Sequence, residues 1–154
     1  MSRQPDRRRG CAATGLLLGV FAIALAPPAQ AGADVCGLVG QAQIEAALGG
    51  PAPRARGGTT NGCAWRSAAK AGDAVTIQVD DGGREKFLFD RGRLQTVALP
   101  GVGDDAFAFS SQAGFVQLGL LKNGTYVTIV LQRQDDPDRL GKARTLATFI
   151  ADQL

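Results

Sequence analysis

Histidine is absent from all 154 residues, and with it go the Ser-His and Cys-His nucleophilic pairs and the commonest zinc ligands. Cysteine is scarce, at three, and has no Cys-x-x-Cys spacing, so the residues give neither a zinc cluster nor a thioredoxin-type redox motif. Tryptophan and tyrosine occur once each, as Trp65 and Tyr126, and either could form a ligand-stacking surface. A membrane-spanning helix needs roughly 20 apolar residues; the most apolar stretch, 16–26, is closed by Pro27-Pro28 well short of that.

A charge surplus also disappears once it is located. The chain carries 17 Lys and Arg against 14 Asp and Glu, but Arg3, Arg7, Arg8 and Arg9 stand with only Asp6 at its start. Arg7-Arg8-Arg9, the apolar stretch 16–26 and Ala29-Gln30-Ala31, with small residues at −3 and −1, form the three parts of a cleavable export signal over 1–31. Cleavage after Ala31 leaves 32–154, which is 123 residues with 13 basic and 13 acidic side chains. That is the size of a single domain. Its neutrality gives no electrostatic case for nucleic acid. Lipid attachment needs a cysteine just after the apolar run, whereas Cys11 precedes it and Cys36 follows Asp34-Val35. The expectation is an exported chain, periplasmic or secreted, not lipid-anchored and without an integral membrane segment after cleavage.

Loss of the leader removes Cys11 and leaves Cys36 and Cys63 in an oxidising compartment, where a disulfide is expected. Such a bridge encloses about 27 residues and stabilises by about 3.5 kcal/mol in the chain-entropy picture. A structural bridge is favoured over redox exchange or metal binding, since no CxxC motif or histidine accompanies the pair.

The periodicity predicts a short helix at 41–48, ended by Gly49-Gly50-Pro51. A strand starts at Cys63-Ala64-Trp65, and a clearer one spans 74–80, where Val75, Ile77 and Val79 alternate with polar residues. A helix over 84–93 is expected to bury Phe87 and Leu88, with Leu94 beside them. A short strand at 95–99 precedes the tight Gly- and Asp-rich loop 100–105, and extended chain resumes at 106–109. Apolar runs at 115–121 and 126–131 flank Asn123-Gly124, the strongest hairpin signal in the chain. Asp136-Pro137 reads as an N-cap followed by proline at the first helical position. Leu140, Ala143, Ala147, Ile150 and Leu154 then form the stripe of a final helix. Sequential strands with few helices between them predict an antiparallel sheet in an α+β domain.

Chemistry-bearing residues are few. Asp104 and Asp105 could serve carboxylate hydrolysis, but adjacent aspartates in Gly-rich segments more often form turns, and no spacing shows two carboxyls facing across a cleft. Asp135-Asp136-Pro137-Asp138 lacks the calcium-loop pattern, and Gly101-Val102-Gly103 lacks the remaining parts of a phosphate loop. Trp65, two residues from Cys63, is expected to pack against the disulfide. Tyr126 is a candidate for a ligand surface.

Cys36-Gly37-Leu38-Val39 ahead of a helix ending Ala46-Ala47-Leu48-Gly49, then Cys63-Ala64-Trp65, then Pro100-Gly101-Val102-Gly103-Asp104-Asp105-Ala106-Phe107, then a hairpin and a terminal helix make a recognisable set. The set resembles small exported lipoprotein-type domains of unknown function with a PsbP-like α/β/α sandwich, over nearly all of the mature chain. The resemblance implies the fold and the disulfide and brings no catalytic residue or cofactor. This chain departs from it in lacking the lipid-attachment cysteine.

Together these readings point to a non-enzymatic, cofactor-free binding module for an envelope protein or small ligand. Its expected site is an open sheet face with Tyr126 and the loop residues Gly101, Gly103, Asp104 and Asp105. The alternative is an exported hydrolase inhibitor presenting loop 51–62 with Arg54 and Arg56 as anchors. A carboxylate-dependent hydrolase is the third reading.

Overall fold

The computed structural model describes residues 35–55 and 61–154, and its architecture grows outward from the Asn123-Gly124 turn. Both residues take positive φ, 49° and 79°, which lets a two-residue turn match the right-handed twist of its strands. Strands β5 (Phe115–Lys122) and β6 (Thr125–Gln132) pair antiparallel from Lys122 opposite Thr125 to Phe115 opposite Gln132. The others are β1 (Gly62–Arg66), β2 (Ala74–Asp80), β3 (Val97–Ala98) and β4 (Asp105–Ser110). They form one antiparallel sheet in the order β1-β2-β6-β5-β4-β3.

Among the described residues three α-helices cover this sheet: α1 (Gln41–Leu48), α2 (Gly83–Arg93) and α3 (Arg139–Ala151). A 3₁₀ turn at Val35–Gly37 precedes α1. Because successive strand side chains alternate between faces, neighbouring residues report different layers. Leu120 and Val127 point into the main core with Ile44 of α1 and Leu146 and Ile150 of α3. Leu121 and Tyr126 point the other way, into a smaller cluster with Phe107 and with Phe87 of α2. Helices therefore lie on both faces, and the expected antiparallel α+β domain is the observed one.

Several local expectations need correction. Leu88 is 50% exposed: α2 turns Phe87 and Asp90 to the sheet, and Leu88 lies off that stripe. Strand β3 shrinks to two exposed residues, and β4 begins at Asp105. Helix α3 starts at Arg139, not directly after Asp136. Asp136 is buried and its Oδ1 accepts the Asp138 N–H at 2.9 Å, so it closes a turn ahead of the helix. Ala143, Ala147 and Ile150 form the buried stripe with Leu146, while Leu140 is exposed and Leu154 lies past the helix end.

An ion cluster ties the layers at one end of the sheet. Arg133 Nε donates to Asp73 Oδ2 at 3.2 Å, its Nη1 donates to the Ala47 carbonyl at 2.9 Å, and the same Nη1 lies 2.8 Å from Asp136 Oδ2. Lys142 of α3 joins Asp136. One guanidinium thus satisfies a carbonyl at the C-terminus of α1, where a cation is favourable, and links the loop before β2 to the approach to α3.

Candidate functional site

The residues singled out from the sequence do not converge on one surface. Tyr126, expected on an open face, is fully buried beneath α2. Its ring meets Phe87 edge to face at 5.5 Å, and its hydroxyl donates to Asp90 Oδ2 at 3.1 Å. Burial, with the Asp90 and Asp80 carboxylates nearby, pushes its phenol well above the ordinary tyrosine value, against a lowering contact from Thr128. Asp90 is buried as well and is matched by Lys86 and Arg93 of its own helix. The group is a closed polar insert in the second core, unable to stack on a ligand.

The loop 101–105 is held by its own side chains. Asp104 accepts the Asn123 backbone N–H on Oδ2 at 2.8 Å and Lys122 Nζ on Oδ1 at 3.0 Å. These bonds, the backbone one foremost, hold its carboxyl below the usual range. Asp105 pairs with Arg91 of α2 at 2.6 Å. Gly103 has φ 60°, and a Cβ there would stand 2.6 Å from the Leu121 carbonyl, so the loop can lie against β5 only as glycine. Gly101 shares the positive φ, at 79°. A shallow recess of about 210 Å³ lies within this loop. Its carboxylates fasten the loop to the β5–β6 turn and to α2.

Arg54 and the disulfide come together instead. Cys36 and Cys63 are bridged, with Cα atoms 5.5 Å apart, and Trp65 is buried in the same core cluster as Cys63. The Arg54 guanidinium lies on the bridge, its Nη2 2.5 Å from Cys36 Sγ and 3.4 Å from Cys63 Sγ. Arg56 lies outside the described residues.

A concavity roomier than that recess was not anticipated. Helices α1 and α3 pack against each other on the main-core side and leave a groove of about 330 Å³ between them. Ala46, Ala47, Leu146 and Phe149 supply its apolar walls, with Gln43 and Lys142 among its polar lining groups. Lys142 is anchored on Asp136. The small Ala46-Ala47 pair makes room for Phe149, which is only partly buried. The signal in the sequence was slight: an aromatic beside the predicted stripe of α3 and two alanines in a helix distant in sequence.

On the α2 side, part of the sheet is less covered. Thr76, Val130, Gln117 and Phe109 lie in one cross-strand row by their pairing, and all four are half-exposed. Phe109 and Phe115 close the row's end with rings 6.0 Å apart.

Among the described residues no cluster of three or more metal-ligating side chains occurs, and no helix is long and apolar enough to cross a membrane. No family model, curated protein or solved structure matches the chain.

Proposed function

We propose that this chain is an exported, non-enzymatic binding module that takes a small, largely apolar ligand into the groove between α1 and α3. The observation that carries the reading is the groove itself. Its volume, about 330 Å³, falls at the lower end of pockets that hold small molecules, and apolar walls with a few polar groups are typical of such sites. Export is supported by the leader pattern and by the Cys36–Cys63 bridge, which belongs to oxidising compartments. Kinship with PsbP-like sandwiches is part of the same proposal, supported by helices on both faces of an antiparallel sheet.

The alternatives have less support. An inhibitor anchored by Arg54 would have to withdraw that guanidinium from the disulfide. A hydrolase using Asp104 or Asp105 would have to break the bonds that hold the loop.

Titration with 1-aminoanthracene, a neutral apolar fluorophore, tests the groove directly. Saturable binding is expected, and Ala46→Trp, at an exposed position on the groove wall, should weaken it at least tenfold while far-UV circular dichroism is unchanged. No saturable binding, or equal binding by the variant, would remove the groove as the site.

A further inference from the structure

The setting of Arg54 carries an inference independent of the groove. Segment 53–55 runs along the outer edge of β1: Ala55 N–H donates to the Ala64 carbonyl at 2.7 Å, and Arg54 is bridged to Trp65. Residues opposed in an antiparallel pair share a face, and so do residues two apart in a strand. Arg54, Trp65 and Cys63 therefore sit together, which accounts for the guanidinium lying 3.4 Å from Cys63 Sγ and closer still to Cys36 Sγ. A disulfide is uncharged and its sulfurs are weak acceptors, so this placement does little for the oxidised protein. A thiolate is a full negative charge, and a neighbouring arginine stabilises it strongly.

The two cysteines differ in exposure. Cys63 is 2% exposed, while Cys36, in the 3₁₀ turn, is half-buried at the margin of the core. A nucleophile reaches Cys36 first, and the sulfur that must leave is Cys63. In an apolar site without a cation that leaving thiolate would be strongly disfavoured.

We propose that the Cys36–Cys63 bridge is a thiol-exchange site for a dithiol reductant, entered at Cys36, with Arg54 holding the departing Cys63 thiolate. The reductant's thiolate attacks Cys36 Sγ and forms a mixed disulfide. The Cys36–Cys63 bond breaks, and its electron pair goes to Cys63 Sγ against the guanidinium. The reductant's second thiolate then attacks its own sulfur in the mixed disulfide and releases Cys36, which takes a proton from water. The reductant loses two electrons in closing its disulfide, and the protein gains them as a Cys36 thiol and a Cys63 thiolate. Exchange of this kind is governed by the leaving thiol's pKa and by access to the attacked sulfur. Cys36 stands shortly before Gln41, where α1 begins, so exchange also cuts the covalent tie between β1 and the entry to that helix.

The test follows reduction of the purified oxidised protein by dithiothreitol, reading released thiols by quenched alkylation and mass. Folded Arg54→Ala should be reduced about tenfold more slowly than the parent, with Arg54→Lys between them. All three should react alike in concentrated guanidinium chloride, where the side chain no longer faces the sulfurs. Equal or faster reduction of folded Arg54→Ala would overturn the proposal. A second readout uses limiting glutathione as a monothiol trap, with the adduct located by peptide mapping: an adduct on Cys36 supports the assignment, and one on Cys63 overturns it.

Discussion

The phenol of Tyr126 and the carboxylate of Asp90 meet at 3.1 Å in a site that neither shares with solvent. The contact joins the middle of the sheet to the inner face of α2, and a buried polar pair is tolerated only because each member is satisfied. Lys86 closes on the same Asp90 oxygen and its ammonium lies 6.0 Å from the Tyr126 ring centroid.

Tyr126 is the only tyrosine, which makes its titration directly visible as tyrosinate absorbance. Its folded-state pKa is raised above the ordinary tyrosine value of 10.0, so the unfolded chain releases the proton first as pH climbs. The linked stability is complete below about pH 10 and is lost above it. Absorbance of tyrosinate should therefore appear together with loss of near-UV ellipticity, as one alkaline transition. Tyrosinate forming while the fold stays intact would show that the phenol is not held as described. Tyr126→Phe should abolish the absorbance change and leave Asp90 short of one donor, at a cost of about 1–2 kcal/mol in urea unfolding.

Gly119 sits in the centre of β5 directly under Phe107: a Cβ at 119 would stand 2.5 Å from the ring. The same ring is 5.2 Å from that of Phe87, so it cannot move aside without disturbing the α2 contact. Overpacking of this kind costs about 1–3 kcal/mol. Gly119→Ala should lower stability by that amount, and Gly119→Val by more. Phe107→Leu in the Gly119→Ala background should recover part of the loss, read as coupling in a double-mutant cycle; purely additive effects would refute the packing argument.

Arg133 is the common partner of Asp73, Asp136 and the Ala47 carbonyl. Removing it leaves two mostly buried carboxylates with less compensation, and breaking a buried pair in this way costs about 3–5 kcal/mol. Arg133→Ala is expected near the lower bound, about 3 kcal/mol, because Lys142 still faces Asp136. That corresponds to a fall in Tm of roughly 10 °C for a domain of this size. Arg133→Lys should recover little, since one ammonium cannot reproduce the three-way fork. Full stability of Arg133→Lys would show that charge alone matters.

The sequence patterns that proved legible are local ones. Asn123-Gly124 specified the hairpin because only residues tolerant of positive φ make that turn, and Val75, Ile77 and Val79 marked β2 because one face of that strand is wetter than the other. Tyr126 was misplaced for the converse reason. At Tyr126-Val127 both faces are buried, so alternation vanishes and nothing in the strand announces that α2 covers it. Asp136 reads as a helix cap, but in the fold it closes the turn ahead of α3 on the Asp138 N–H and pairs with Lys142 and with Arg133, which stands just past β6. The groove was invisible because it belongs to two helices far apart in the chain, and neither Ala46 nor Phe149 signals the other. The contact of Arg54 with the disulfide was not legible because edge pairing of segment 53–55 with β1 leaves no periodic trace.

Acid stability supplies a last check on how the carboxylates are used. Asp104 is held below the ordinary aspartate value of 3.8 by the Asn123 N–H and then by Lys122. Asp136 is lowered from the same value by Lys142, with the Asp138 N–H and Arg133 assisting. A depressed folded-state pKa contributes stability that is present above the unfolded value, near pH 4, and is lost as pH falls through the folded one. Stability should thus be nearly flat from neutrality to about pH 4 and then decline. Asp104→Asn should flatten the decline and loosen the 123–124 turn, read as faster amide exchange there. Asp136→Asn should flatten it too, but with protection lost at the start of α3. If both variants kept the parent's acid profile, the carboxylates would be carrying no more than turn geometry, and the loop 101–105 would be released from its structural role for ligand contact.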